Sequence, residues 1–310
     1  YIFIPDGVYD LGETVLTAIS GYNISIIGQS TEKTIIKNAP EVANEGIGTT
    51  AVLVNSTQNL YMQDLTLQNA LDYYAAGDAG RAVCFQDKGD RAILKNVAML
   101  SHQDTYYSQN TKQSYWEDCD IHGTVDFICG GGDVRFVNTT LSLEPRSANG
   151  TGGRTITAPT TTTEFGYVFD GCKVVDLAEG KGDWNFGRTW QNNPICIYLN
   201  TTLDENSANT LIDSRWIEKG MNNRDPRIFG EFNTMDEAGN NITPASNIIT
   251  SYRGQFQTIL SADAAEAYAY DKMFTDWNPA FYTVQVEAPE ATYYEGVVSW
   301  TPANNGAIAY

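Results

Sequence analysis

What this chain has little of narrows its class first. Two histidines, and five cysteines without a Cys-x-x-Cys pair, leave neither a zinc module nor a dense disulfide framework to build on. Basic residues are scarce, 19 Lys+Arg against 38 Asp+Glu, for a formal charge of −19 with no basic block. Nucleic acid and anionic membranes are therefore excluded as expected partners. No apolar run approaches the roughly 18 residues of a spanning helix, so no membrane insertion is expected. The abrupt apolar opening Tyr1-Ile2-Phe3-Ile4, without an initiator Met, reads as that of a processed or trimmed chain.

Helical periodicity is also scarce before about residue 260. What is present is a repeat of short alternating strands that close on Asn or Asp: Leu60–Leu65, Ala92–Val97, Tyr115–Cys119, Val134–Asn138 and Tyr167–Cys172. Their closing residues Asp64, Asn96, Asp118, Asn138 and Asp170 are spaced by 32, 22, 20 and 32 residues. A base period near twenty, lengthened by insertions, is what stacked coils of a parallel β-solenoid require, with Asn and Asp at turns because they tolerate left-handed backbone. A β-sandwich competes, but calls for hairpin turns between paired strands. The run Ser261–Tyr270, Ala-rich with Ser261 as N-cap, reads as a helix flanking the solenoid.

The densest cluster of reactive residues is Ser101–Tyr107, followed by His122–Gly130. Asp104 and Asp126 are 22 residues apart, as are Arg81 and Gln103. One coil of about that length stacks the two carboxylates roughly 4.8 Å apart on one face. Two carboxylates that close resist joint ionisation, so one holds a proton while the other, paired with a cation, stays charged.

Gln103-Asp104-Thr105, Gly123-Thr124-Val125-Asp126-Phe127-Ile128 and Gly187-Arg188-Thr189-Trp190, in this order, resemble the signature motifs of the pectin methylesterase (pectinesterase) family. Ile4–Tyr9, Phe229–Asn233 and Trp277-Asn278-Pro279 resemble it too, so the likeness covers residues 1–280. It implies an all-β, right-handed parallel β-helix that hydrolyses methyl esters of galacturonate units in pectin, without metal or cofactor. By motif, Asp126 matches the nucleophile, Asp104 the acid that protonates methanol and then activates water, and Gln103 an amide donor to the oxyanion. Arg188 matches the guanidinium that orients the nucleophile, and Trp190 an aromatic floor for the sugar. Tyr107, Trp216 and Phe127 are further candidates for contact with the sugar.

Three departures stand out. Arg81 occupies a position where the family has a Gln donor, and its charge calls for a neutralising carboxylate such as Asp78 or Asp87. Cys129 stands in place of a Phe, and Thr189 in place of a Pro. Residues 281–310 are read as the truncated start of a fibronectin-III-like sandwich, which suggests a secreted or surface-attached bacterial enzyme, expected as a monomer. The alternatives are a solenoid lyase or polygalacturonase, and a non-catalytic pectin-binding solenoid.

Overall fold

The computed structural model describes residues 1–77, 80–109, 112–160, 162–284 and 290–301. The chain divides into two compact units, Tyr1–Met273 and Phe274–Tyr310. In the first, parallel strands stack coil on coil in three ladders. One ladder runs through Gln113–Glu117, Asp133–Val137, Tyr167–Asp170, Ile195–Leu199 and Ile228–Phe232. A second runs through Asp120–Gly123, Thr140–Leu143, Lys173–Asp176 and Thr202–Leu203. The third runs through Phe85–Asp87, Tyr106–Ser108, Val125–Gly130, Arg154–Pro159 and Trp184–Gly187. This is the expected parallel β-helix.

The turn residues behave as their chemistry dictates. Asp64, Asn96, Asp118 and Asn138 all have φ between 48° and 54°, the left-handed region that Asn and Asp tolerate. At the next coil the role passes from Asp170 to Gly171, with φ 64°. Side chains continue the stacking: Asn96 Nδ2 donates to Asp64 Oδ1 at 2.6 Å, Asn200 to Asp170 at 3.0 Å and Asn233 to Asn200 at 2.9 Å.

Inward residues form ladders of their own. Phe136, Phe169 and Tyr198 are register partners on successive coils, stacked at 4.5 and 4.4 Å with rings within 8° of parallel. All five cysteines are free and buried. The buried pair Arg154–Asp176, bonded at 2.5 and 3.1 Å, ties the third ladder to the second.

The expected helix over Ser261–Tyr270 is shorter than the sequence suggests. Ser261 does cap, accepting from Ala264 N, but the helix is Ala262–Glu266, and a separate turn follows at Tyr270–Met273. In the second unit, strands Glu290–Tyr294 and Val297–Thr301 form an antiparallel hairpin. Its two-residue loop, Glu295-Gly296, has positive φ at both positions, which matches strand twist. Part of the segment read as the sandwich start, residues 285–289 and 302–310, lies outside the described residues. No helix among the described residues is long and apolar enough to cross a membrane.

Candidate active site

The third ladder carries the site. Isolated parallel bridges join Arg81 to Gln103 and Gln103 to Val125, so the 22-residue spacing read from the sequence is a true coil register. Asp104 and Asp126 follow Gln103 and Val125 in the chain and stack on neighbouring coils. Both have left-handed backbone, φ 58° and 51°. At Asp126 the pairing with the next strand slips between Val125 and Ile128. Such a β-bulge bends a strand and re-aims a side chain. Gly123 makes the approach possible, because a Cβ there would lie 2.1 Å from Phe127 Cβ and 2.8 Å from the His102 carbonyl oxygen.

Both carboxylates are 5% exposed, yet their surroundings differ. Arg188 grips Asp126 through Nε to Oδ1 at 2.9 Å and Nη2 to Oδ2 at 2.6 Å. Burial pushes the Asp126 carboxyl up, and this guanidinium opposes the shift. Asp104 is driven well above the ordinary carboxylate range, by burial first and by the charge of Asp126 second; Arg81, Arg188 and the Cys129 thiol pull the other way. The asymmetry orders the pair: Asp104 holds its proton longest, while Asp126 is the carboxylate with a cation bonded to it. Burial pulls Arg188 down, but its bond to Asp126 and the charges of Asp126 and Asp104 together hold it above its usual range.

Gln103 lies half-buried beside the pair, and its Oε1 is buried without a hydrogen-bond partner. Trp190 and Tyr107 are half-exposed and face each other with ring centroids 6.1 Å apart, forming an aromatic wall.

Two of the expected sugar contacts need correction. Trp216 is 0% exposed, stacked on Phe229 at 4.4 Å and packed against Phe186 and Tyr198. Phe127 is also 0% exposed and lies in the core cluster with Ile128. The bulge at Asp126 breaks strand alternation, so both of these successive residues point inward. Neither Trp216 nor Phe127 presents a face to a sugar.

The counter-charge of Arg81 also differs from expectation. Asp87 is buried and accepts from Asn55 Nδ2 and the Gly89 amide, and Asp78 lies outside the described residues. Arg81 pairs instead with Glu45, by Nε to Oε2 at 2.8 Å and Nη2 to Oε1 at 2.5 Å. His122, between Asp120 at 3.1 Å and Glu144 at 2.7 Å, is a hydrogen-bonded neighbour of the cleft. Despite burial, those carboxylates hold its pKa at about 9.

Two features went unread in the sequence. Glu45 sits 36 residues before Arg81 in a short turn with no motif of its own. Arg146, with Tyr73, Tyr74, Gly77, Ser147 and Ala148, lines a cavity of about 340 Å³. Its Nη1 donates to the Tyr73 hydroxyl, which also accepts from Thr124 Oγ1 at 3.0 Å, two residues before Asp126. An Arg three residues past the end of strand Thr140–Leu143 carries no periodic signal, so only the fold reveals it.

Known proteins resemble this chain in sequence and in fold. A family model described as Pectinesterase matches residues 1–273. Probable pectinesterase 50 of Arabidopsis thaliana is 29% identical over 235 residues, 74% of this chain and 61% of its own length. Probable pectinesterase/pectinesterase inhibitor 64 of Arabidopsis thaliana is 30% identical over 223 residues, 66% of this chain and 35% of its own length. The chain thus spans less than two thirds of the curated relatives it matches. Among solved structures, pectin methylesterase PemA from Erwinia chrysanthemi superposes with TM-score 0.67 at 23% identity, covering 90% of this chain and 89% of that one. Pectin methylesterase from carrot does so with TM-score 0.70 at 18% identity, covering 88% and 82%. At these identities the structural likeness establishes the shared fold.

Proposed function

Because this chain belongs to the pectinesterase family, we propose that it removes methyl esters from galacturonate units of pectin, with Asp126 as nucleophile and Asp104 as acid and base. The observation that carries the reading is the division of two buried carboxylates into one bonded to a guanidinium and one driven well above the ordinary carboxylate range. A structural neighbour solved in complex with a hexasaccharide, TM-score 0.69 at 23% identity, supports an oligosaccharide ligand for this site.

The chemistry then follows from the positions. A carboxylate oxygen of Asp126 attacks the ester carbonyl carbon, and the carbonyl electron pair moves onto oxygen. Gln103 and Arg81, on adjacent coils, supply donors to that oxyanion, the kind of preorganised contact that contributes most to acyl transfer. Collapse expels the methoxy oxygen, which takes the proton of Asp104 and leaves as methanol. Asp104, now ionised, accepts a proton from water, whose oxygen attacks the acyl-enzyme carbonyl and releases Asp126 as a carboxylate. Arg188 orients Asp126 throughout and keeps it ionised.

Tyr107 and Trp190 suit the apolar face of a sugar ring. Arg146, in its cavity beside Thr124, suits a free carboxylate on a neighbouring sugar. A polymeric wall substrate places the work outside the cell. The relatives and neighbours include plant and bacterial proteins, so the expected bacterial source draws no support from them.

The test is methanol release from highly methylated pectin, with unsaturated-product absorbance followed in the same sample. Methanol without unsaturated product is expected. Unsaturated product would make the protein a lyase, and polymer binding with neither product would make it a non-catalytic solenoid.

A further inference from the structure

Arg81 brings a full positive charge to the edge of a site whose acid must keep its proton. Its side chain is 45% exposed, while that of Glu45 is 17% exposed. The two are joined by more than charge. Glu45 Oε2 accepts from Arg81 Nε at 2.8 Å and from the backbone amides of Gly80 at 3.3 Å and Arg81 at 3.2 Å, and Oε1 accepts from Arg81 Nη2 at 2.5 Å. The Gly46 amide donates to the Arg81 carbonyl at 3.0 Å. This clamp holds Arg81 through both its side chain and its backbone. A side chain ordinarily free to sample many rotamers is fixed one coil from Gln103 by its Nε and Nη2, and among the described residues its Nη1 has no acceptor.

We propose that Glu45 is a positioning residue of this site: it fixes the Arg81 guanidinium beside Gln103 as a donor and offsets part of its charge towards Asp104. The proposal rests on the assignment of Asp104 as the acid. Five groups act on or respond to Asp104 from the elements around it. Asp126 raises its pKa, Arg81, Arg188 and Cys129 lower it, and Tyr107 responds to its charge. Of these, Arg81 alone has a separate carboxylate clamped to it, and that carboxylate is held below the ordinary range by its bond to Arg81. An amide at position 81 would need no such partner. The Glu45–Arg81 pair is therefore a two-residue replacement for one neutral donor.

The experiment reads Asp104 directly and needs no substrate. Protein carrying ¹³C-labelled aspartate carboxyls is titrated by NMR, with the Asp104 signal assigned by its loss in Asp104→Asn, in the wild type and in Glu45→Gln, Arg81→Gln, the double variant and Glu45→Asp. Glu45→Gln is expected to move the Asp104 midpoint down by about half a pH unit, the effect of one uncompensated charge on a guanidinium whose side chain is 45% exposed and screened by solvent. Arg81→Gln and the double variant should leave it at or above the wild-type midpoint, and Glu45→Asp, which keeps the charge, should stay near it. Methanol release across pH, run in parallel, should show the alkaline limb of kcat/KM following the same shifts. An unmoved midpoint in folded Glu45→Gln, or equal midpoints in Glu45→Gln and the double variant, would overturn the proposal and leave Glu45 a structural clamp. If the midpoints move as expected but no variant or wild type releases methanol, the reading of function fails while that of Glu45 stands.

Discussion

Replacing Arg188 by Gln should move the whole pH window of activity upward. The guanidinium makes two charge-assisted bonds to a carboxylate that is otherwise buried. Bonds of this kind contribute about 1.5–3 kcal/mol each. The Arg188 side chain is 31% exposed, so solvent screening reduces the pair to about 2–4 kcal/mol in total. At about 1.4 kcal/mol per pKa unit, Asp126 should titrate about 1.5–3 units higher. In the proposed reaction only the ionised carboxylate attacks, so on the acid side kcat/KM should fall roughly 30-fold to 1,000-fold, with much of the loss recovered as pH rises. Arg188 also lowers Asp104, so the alkaline limb should rise as well rather than close over the recovered activity. The assay is initial-rate methanol release on methylated pectin from pH 4 to 10, with folding checked by far-ultraviolet circular dichroism. A loss of the same factor at every pH, with both limbs unmoved, would refute the reasoning and make Arg188 a contact for substrate alone.

Further outcomes follow from the same structure. Trp190→Ala should raise KM for the polymer about tenfold with kcat within a few-fold, whereas Trp216→Ala should cost about 3–5 kcal/mol of stability in urea melts because it empties a core stack. Asp104→Asn should stabilise the fold increasingly as pH rises. A carboxyl whose folded pKa is raised contributes stability below its unfolded value, and that contribution is lost as pH climbs through the folded one, a loss the amide escapes; thermal melts at pH 4 and pH 8 check this. Arg154→Ala should cost about 3–5 kcal/mol by stranding buried Asp176, with the pH–rate profile unmoved. His122 should remain protonated at pH 8 by NMR, and its stabilising contribution, full below about 6.5, should fade as pH passes about 9.

Much of this was legible in the sequence because a solenoid repeats. The Asn and Asp closures set the coil length, and that length placed Asp104 against Asp126 and Arg81 against Gln103 before any coordinates. Where the repeat is locally broken, the reading failed. The bulge at Asp126 sends Phe127 and Ile128 inward together, which period-two alternation does not foresee. Trp216 follows Arg215 in an irregular segment whose inward direction is set by Phe229 one coil on. Glu45 reached Arg81 through a turn with no pattern to link the two. The Ala-rich run after Ser261 had good propensity, but helix length is set by packing more than by propensity, and this helix ends within two turns.

The central claim is that two buried aspartates divide the work of one ester hydrolysis. The most direct test is methanol release by Asp126→Asn and Asp104→Asn alongside the wild type, with binding to methylated pectin measured for each. Each variant should fall at least about 1,000-fold in kcat with polymer binding within a few-fold of wild type. Retention of a tenth or more of wild-type turnover by either variant would contradict the assignment.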